Sequence, residues 1–227
     1  YFIINRSDEF LNEYISPNSE RLQFVTNFSG SAGKAIIGQN KAFLYVDGRY
    51  TFQASEQIDK KEIVPKHINL FWDDLEKFII QKKINIAVDA KLHSIQEIEK
   101  IKNLISNSKS KIKLLETNII DNIWNDQPNI NYTEIFDHPI KYSGEKRSNK
   151  IDRCQHFLNE QKIDHYLISG LDNIAWLLNI RANDIKYTPL FFSYLLISKQ
   201  KKPNLYIKND KINNQLKDTL LKYVDIY

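Results

Sequence analysis

Residues 84–115 read INIAVDAKLHSIQEIEKIKNLISNSKSKIKLL, and this stretch decides the fold class of the chain. Residues 84–88 are mostly apolar and predict a buried strand. Apolar side chains then recur at helical spacing across residues 95–105, and residues 112–115 predict a further strand. A strand, an amphipathic helix and a second strand in this order are typical of α/β domains.

The helix within this stretch has a recognisable start signal. Ser94 and Glu97 have the spacing of a capping box, in which each side chain binds the backbone N–H of the other residue. A second start signal stands near the beginning of the chain, where Ser7 or Asp8 precedes apolar residues at positions 10, 11 and 14. We therefore expect a short helix at that point as well.

Apolar runs on either side continue the alternation of strands and helices. Further strands are predicted at residues 1–4, 35–37, 42–46, 63–64, 166–169, 190–198 and 204–207, and helices at residues 50–57, 70–81, 145–159, 173–178 and 212–223. Residues 224–227 have the pattern of a strand that is cut short.

Part of the chain resembles another part. Residues 1–4 with the following Ser7-Asp8 parallel residues 166–169 with the following Leu171-Asp172, and residues 24–28 parallel residues 176–180. A strand hairpin follows each copy, delayed in the second copy by a short insertion. All α/β domains share some of this order, but the similar spacing favours an internal duplication.

Residues 125–142 differ from both copies, because they contain Pro128 and Pro139 and no sustained apolar period. This is typical of an interdomain linker. We therefore predict a first domain of residues 1–124, a linker of residues 125–142 and a second domain of residues 143–227 that is cut short at its end. The chain has no Met and begins within an apolar run, so we expect it to be part of a longer protein.

Composition narrows the classes of function. The 227 residues are 42% hydrophobic and 26% charged, as in globular proteins. The net charge of +4 comes from dispersed lysines at predicted element ends, so we expect no nucleic-acid partner. The apolar runs are too short to cross a membrane, so we expect no membrane partner. Cys154, the single cysteine, excludes an internal disulfide and is predicted to be a small core residue.

Local motifs for hydrolytic chemistry are missing from the sequence. The five histidines are not spaced three or four residues apart, as a local zinc site on a helix would need. Gly30-Ser31-Ala32-Gly33 lacks the Gly-x-Ser-x-Gly form of a nucleophile elbow, so Ser29 and Ser31 are interpreted as turn residues whose hydroxyls bind backbone amides. We therefore predict neither a catalytic residue nor a metal site in this chain.

The motif Asp47-Gly48-Arg49-Tyr50 follows a predicted strand, and so would lie at the carboxyl edge of a sheet, where α/β folds often bind ligands. Arginine is scarce in this lysine-rich chain, which suggests that Arg49 is needed for its planar fork. Two interpretations remain open: Arg49 contacts a ligand, or it forms a structural clamp with Asp47 or with the backbone. The same alternatives apply to Arg181.

Together these motifs resemble the Xaa-Pro aminopeptidase P family over essentially the whole chain. The residues that carry the resemblance are 20–33, 47–50 and 53–54 in the first domain, 124–128, 138–140, 142–144 and Lys150 between the domains, and 171–181 and 189–194 in the second. The resemblance implies an α/β fold of two tandem creatinase N-terminal-like domains with a ribonuclease H-like motif and a mixed sheet flanked by helices. Asn27 and Ala182 stand where the family usually has glycine, which puts the shape of those loops in doubt.

The resemblance also implies a function. The family consists of cytoplasmic, manganese-dependent aminopeptidases that release the N-terminal residue from peptides with proline in the second position. Their third domain carries two Mn²⁺ ions on Asp, His and Glu ligands, and it lies outside this chain. We therefore expect this chain to hold no cofactor and to be inactive alone, while it assists homodimer formation and controls the access of substrate.

Two positions match family residues that would lie near the substrate, Glu13 and Arg49. The Glu13 carboxylate could pair with the terminal ammonium of a peptide, and Arg49 could orient Glu13 or bind a peptide carbonyl. The alternative for Glu13 is a solvated helix residue, which is the usual situation of a surface glutamate.

Two other functions remain open from the sequence. Creatinase-like domains also occur in a histone-chaperone subunit, so a non-enzymatic module that binds peptides or histones is the alternative to the aminopeptidase. Creatinase or prolidase itself is a third interpretation. The duplication disfavours it, because those enzymes have one N-terminal domain.

Overall fold

The chain folds into two compact units, Tyr1–Asn129 and Ile130–Tyr227. The computed structural model describes residues 1–82 and 84–227, apart from the side chains of Lys82 and Asn209. The boundary between the units lies inside the predicted linker of residues 125–142. The later part of that segment packs into the second unit, where Ile135 is fully buried in the hydrophobic core.

The first unit contains one six-stranded sheet. Its strands are β1 (Phe2–Asn5), β2 (Lys34–Ile37), β3 (Ala42–Val46), β4 (Ile63–His67), β5 (Asn85–Asp89) and β6 (Lys111–Leu115), and its helices are α1 (Arg21–Thr26), α2 (Thr51–Gln57), α3 (Phe71–Lys82) and α4 (Ile95–Ile105). The strand order is β4-β3-β2-β1-β5-β6. β1, β2 and β3 pair antiparallel, and β4, β5 and β6 join them in parallel, which confirms the predicted mixed sheet.

Helices cover both faces of this sheet because its central strand is apolar on both. Phe2 and Ile4 of β1 belong to a core cluster that includes Leu22 of α1 and Ala54 of α2. Ile3 belongs to the cluster on the other face, to which α3 and α4 contribute. A strand that is buried on both faces shows an unbroken apolar run, and this is the pattern that the sequence has here.

The helix predicted after Ser7 or Asp8 is wrong. The Asp8 carboxylate accepts hydrogen bonds from the backbone N–H groups of Phe10 and Asn12, both at 3.0 Å, and from the Asn12 side chain at 2.8 Å. Leu11 lies in the left-handed region with φ of 56°. Short acidic side chains can take over backbone donors in this way, and they then favour an irregular turn over a helix.

The capping box at the start of α4 is incomplete. The Ser94 hydroxyl accepts the predicted hydrogen bond from the Glu97 N–H at 3.2 Å. The Glu97 carboxylate accepts from the Asn5 side chain at 3.1 Å and pairs with Lys34. Glu97 is therefore used to tie α4 to the ends of β1 and β2, a role that needs residues distant in the sequence.

The second unit contains a four-stranded sheet and a small two-stranded one. Its strands are β7 (Phe136–Asp137), β8 (His165–Ile168), β9 (Ile180–Arg181), β10 (Ser193–Ser198), β11 (Asn204–Ile207) and β12 (Asp225–Ile226), and its helices are α5 (Ile140–Ser143), α6 (Arg147–Glu160), α7 (Leu171–Leu178) and α8 (Asn214–Leu220). The larger sheet has the order β12-β11-β10-β8, and β7 pairs with β9. None of the helices in the described residues is long and apolar enough to span a membrane.

The two units repeat one topology. β8 pairs antiparallel with β10, β10 antiparallel with β11, and β11 parallel with β12. β1, β2, β3 and β4 are joined in the same way, with α1 and α2 at the places that α7 and α8 take in the second unit. The shared order and strand directions confirm the internal duplication.

The duplication extends to the residue that ends the first helix of each copy. Asn27 follows α1 with φ of 60°, and Asn179 follows α7 with φ of 50°. Asparagine is one of the few residues besides glycine that adopts this left-handed conformation readily. Asn27 therefore keeps the helix end that a glycine would form at that place.

Candidate functional site

The candidate site lies on the first unit, where three irregular segments meet beyond the carboxyl ends of β1 and β3. These are the segment of residues 6–16, the loop of residues 29–33 and the turn Gly48–Tyr50. The Arg6 guanidinium donates to the carbonyl oxygens of Glu13 at 3.0 Å and Ser31 at 2.9 Å. The Ser31 and Tyr50 hydroxyls are hydrogen-bonded at 2.6 Å, which links the second segment to the third.

Arg6 is the centre of this arrangement, and it was missed from the sequence. Its Nε donates to Glu20 at 3.1 Å and its Nη2 completes a two-point ion pair with the same carboxylate, while the side chain is only 10% exposed. Burial raises the pKa of Glu20, and the hydrogen bond from Arg6 opposes that rise. The scarcity of arginine, which drew attention to Arg49, was the signal that could have found Arg6.

Arg49 forms a clamp with Asp47, which is one of the two interpretations that the sequence allowed. Its Nε and Nη2 donate to the Asp47 carboxylate at 3.0 and 2.7 Å, and its backbone N–H donates to the same group at 2.9 Å. These hydrogen bonds lower the pKa of Asp47 and raise that of Arg49. The Arg49 side chain is nevertheless 71% exposed, and its guanidinium lies over the Tyr50 ring. The clamp leaves the charged group at the surface.

Glu13 lies in a segment that hydrogen bonds of Arg6, Ser31 and Tyr50 link to the turn that carries Arg49. Its backbone carbonyl is held by Arg6, and its side chain is exposed. The negative charge of Glu13 contributes to the raised pKa of Arg49, after the larger contributions of Asp47 and Tyr50. The segment that carries Glu13 is irregular, so Glu13 is not the helix residue that one interpretation assumed. The structure thus brings both sequence-predicted residues to one solvent-facing region.

The loop of residues 29–33 owes its shape to glycine. A Cβ atom on Gly30 would lie 2.1 Å from the ring of Phe28, so no other residue fits there without a shift of that buried ring. Ser29 differs from its prediction as a backbone-binding turn residue, because its hydroxyl accepts from the side chains of Gln53 and Gln57 at 3.0 and 2.8 Å. These bonds tie the loop to α2.

Arg181 has a structural use in the second unit. Its Nη1 donates to the carbonyl oxygens of Ala175 and Ile180, beside the carboxyl end of α7. Burial lowers the pKa of Arg181, as expected for a cation that is partly removed from water. Of the two alternatives for Arg181, the geometry supports the clamp to the backbone.

The described residues contain no group of three or more His, Cys, Asp or Glu side chains that could hold a metal ion. Cys154 packs against the core of the second unit. Burial raises the pKa of its thiol, which disfavours the reactive thiolate. The side chains in the described part of the chain therefore do not fit a metal centre.

Family comparisons agree with the two-unit structure. Two sequence families, both described as creatinase/prolidase N-terminal domain, match residues 7–119 and residues 126–227. The two matched ranges correspond closely to the two units and cover nearly the whole chain.

Curated relatives match over almost the whole chain but extend well beyond it. A probable Xaa-Pro aminopeptidase P from Paracoccidioides lutzii is 33% identical over 223 residues, which cover 96% of this chain and 36% of the relative. A protein of the same name from Aspergillus fumigatus is 34% identical over 219 residues, which cover 95% of this chain and 33% of the relative. The chain thus spans about a third of the length of these relatives, in their N-terminal portion.

One solved structure has nearly the same fold. X-prolyl aminopeptidase from Caenorhabditis elegans, described as a cytosolic enzyme with a di-nuclear active site, superposes with a TM-score of 0.91. The match covers 100% of this chain and 37% of that enzyme, at 24% identity. At this identity the likeness establishes the shared fold.

Proposed function

Because the chain belongs to the creatinase/prolidase N-terminal domain family, with one such domain in each unit, we propose that it is the non-catalytic N-terminal part of an Xaa-Pro aminopeptidase. The whole enzyme would remove the N-terminal residue from peptides whose second residue is proline. The observation that carries the proposal is the identity of about a third, over nearly all of this chain, to relatives that bear that name.

Catalysis and the control of substrate access belong to different parts of the longer protein. The catalytic chemistry, with two Mn²⁺ ions, is assigned to the part outside this chain, which we expect to be inactive by itself. The two domains described here are assigned to homodimer formation and to control of substrate access. We also propose a cytoplasmic location, which is supported by the description of the C. elegans neighbour as cytosolic.

Within the first unit, Glu13 and Arg49 are proposed to face the peptide substrate. Both side chains are exposed and carry opposite charges, and the hydrogen bonds of Arg6 and of the Ser31–Tyr50 pair link the segments that carry them. A carboxylate such as Glu13 suits the terminal ammonium of a peptide. Asp47 engages Nε and Nη2 of Arg49, so the Nη1 amino group lies outside that pair and could donate to a peptide carbonyl.

The experiment measures the steady-state kinetics of the full-length enzyme on an Arg-Pro-Pro peptide with added manganese. We expect Glu13→Gln and Arg49→Ala to lower kcat/KM by about 10-fold or more, mainly through KM, because each removes a contact to bound substrate. The purified chain of residues 1–227 is expected to show no turnover under the same conditions.

Two matched variants serve as controls. Glu9→Gln removes another exposed carboxylate from the same segment. Arg153→Ala removes an exposed arginine of the second unit that also pairs two-point with a carboxylate, that of Glu145. Equal kinetics for the site variants and the controls would return Glu13 and Arg49 to structural roles. A full-length protein without peptidase activity would favour the alternative, a module that binds peptides or histones.

A further inference from the structure

A groove on the surface of the first unit is lined by aromatic rings and prolines. The Phe24 ring, on α1, stacks on the Trp124 indole, with ring centroids 4.8 Å apart and an angle of 17° between the ring planes. The groove, here called the aromatic groove, has a volume of about 430 Å³, and its apolar walls are Pro17, Phe24, Trp124 and Pro128. Phe24 is 39% exposed, so part of the stacked pair faces solvent.

The two sides of the aromatic groove are tied together by residues about 100 positions apart in the sequence. The Arg21 guanidinium donates to both carboxylate oxygens of Asp121, at 2.7 and 2.9 Å. The Gln127 side chain donates to the Asn18 carbonyl at 2.8 Å and to Asp121 at 3.1 Å. These bonds fix the segments that carry the two rings. A surface that is ordered before binding loses little conformational entropy when a ligand arrives, and this favours recognition.

The aromatic groove offers hydrogen-bond donors without an unpaired charge. Among the described residues that line it, Glu20 alone is charged, and Arg6 donates to both oxygens of that carboxylate. The Trp124 indole N–H and the Gln23 side-chain amide also belong to the lining, and no described residue is hydrogen-bonded to either group. The complement of this surface is therefore a neutral ligand that presents carbonyl oxygens, which accept from indole and amide N–H groups.

A proline-rich segment in the polyproline II conformation has these properties. Proline has no backbone N–H, and the polyproline II helix has no internal hydrogen bonds, so the carbonyl oxygens of the segment stay available as acceptors. Its rings are apolar and its conformation is set before binding, which keeps the entropic cost of association low. Aromatic-lined grooves bind such segments in several kinds of recognition domain.

We propose that the aromatic groove binds a proline-rich peptide segment in the polyproline II conformation. Proline rings of the segment pack on Phe24 and Trp124, while the Trp124 indole and the Gln23 amide donate to its carbonyl oxygens. The segment binds through its interior, so the site needs neither a free amino terminus nor cleavage of the peptide. It is a second peptide site, additional to the one proposed around Glu13 and Arg49.

Isothermal titration calorimetry of the full-length protein with an N-acetylated, C-amidated hexaproline tests the proposal. The acetyl group removes the terminal ammonium that Glu13 is proposed to bind, so the result is independent of peptidase activity and of the proposed function. We expect saturable binding with a Kd below about 1 mM. An acetylated Gly-Ser hexapeptide, which is flexible and lacks the rings, should not bind. No binding of hexaproline at about 1 mM, or equal binding of both peptides, overturns the proposal.

Variants of the full-length protein assign the binding to the aromatic groove. Phe24→Ala, which removes one of the stacked rings, should weaken hexaproline binding by at least about 10-fold. Trp124→Phe keeps a ring but removes the indole N–H, and Gln23→Ala removes the other donor, so each should weaken binding by about 3- to 10-fold. The matched controls are Trp176→Phe, at an indole that is 45% exposed in the second unit, and Gln96→Ala, at an exposed glutamine of α4. Equal affinities for site variants and controls contradict the proposal.

Sedimentation velocity tests the competing occupant of the aromatic groove, a second copy of the chain. The full-length protein and its Phe24→Ala variant are expected to have the same oligomeric state at every concentration, because the groove binds a peptide. If Phe24→Ala converts a dimer into monomers, the groove is an interface between copies and the proposal is overturned.

Discussion

The two units share one topology, but they anchor their irregular segments with ion pairs of very different burial. In the first unit, Arg6 and Glu20 hold the segments around Glu13, and their side chains are 10% and 20% exposed. In the second unit, Asp184 and Lys211 anchor the inserted loop before β10, and their side chains are 0% and 1% exposed.

The same fold therefore holds its irregular segments with a partly exposed ion pair in one copy and with a fully buried ion pair in the other. Asp184 also accepts hydrogen bonds from the backbone N–H groups of Thr133 and Phe192, at 2.8 and 3.0 Å, so its carboxylate organises three separate segments. A pair that is removed from water in this way becomes costly to break, because the remaining charge has no solvent. The Arg6–Glu20 pair keeps partial contact with water, since its side chains are 10% and 20% exposed.

The largest expected effect comes from breaking the buried pair. Asp184→Asn leaves the Lys211 ammonium buried without a counter-charge, and should lower the free energy of unfolding by about 3–5 kcal/mol. Urea unfolding of the second unit measures this loss. Asp164→Asn, which removes the exposed partner of Lys199, is the matched control and should leave the unfolding midpoint unchanged. A similar midpoint for the two variants would show that burial does not set the difference between the units.

A smaller loss of stability is expected at Asn179, which ends α7 as Asn27 ends α1. The Asn179 amide oxygen accepts from the buried Lys150 ammonium at 2.7 Å, whereas Asn27 donates to the Gln57 carbonyl at the surface. Asn179→Gly keeps the left-handed backbone but removes this acceptor, and should cost about 1.5–3 kcal/mol. Asn27→Gly should change the free energy of unfolding by less than about 0.5 kcal/mol. Thermal or urea unfolding of both variants checks the contrast, and equal losses would contradict it.

The smallest expected effect is on the pH dependence of stability. It concerns the first unit, on the side of its sheet where β5 and β6 lie. His93, just after β5, is buried, and its Nδ1 contacts the Asp89 carbonyl at 2.9 Å. Burial lowers the pKa of His93 below its ordinary value. The unfolded chain therefore binds a proton more readily, and this group removes stability as pH falls below about 6.5.

When pH falls from about 7.5 to about 5, the free energy of unfolding of the His93→Gln variant should accordingly decrease by less than that of the parent protein. Urea unfolding at both pH values measures the two slopes. His156→Gln, which changes a histidine that is 74% exposed, should keep the parental pH dependence. If His93→Gln keeps the parental pH dependence as well, the burial of His93 does not contribute to the pH dependence of stability.

Local sequence patterns predicted most of the elements of this fold. The apolar runs that became β1, β3, β5 and β11 are short and sharply bounded, so their strands were found close to their observed places. Local patterns failed at residues 8–14, where the carboxylate of Asp8 competes with the helix for backbone donors. They also failed at Glu97, whose partners Asn5 and Lys34 are far away in the sequence.

The sequence likewise predicted one part of the candidate site and missed another. Arg49 and Asp47 are two residues apart, so their clamp was one of the two interpretations that the sequence allowed. The role of Arg6 was not visible, because it depends on Glu13, Glu20 and Ser31, which only the folded chain brings together. Whether Glu13 and Arg49 contact a peptide stays a prediction.

The sequence by itself determined the α/β class, the order of the elements and the duplication, because hydrophobic periodicity records which side of each element is buried. The tertiary structure alone decided which strands are neighbours and which charges are buried in pairs. Lys211 and Lys150 illustrate the reason. A lysine is normally a surface residue, and nothing near either one in the sequence supplies the distant acceptors that allow its burial, Asp184 for Lys211 and Asn179 for Lys150.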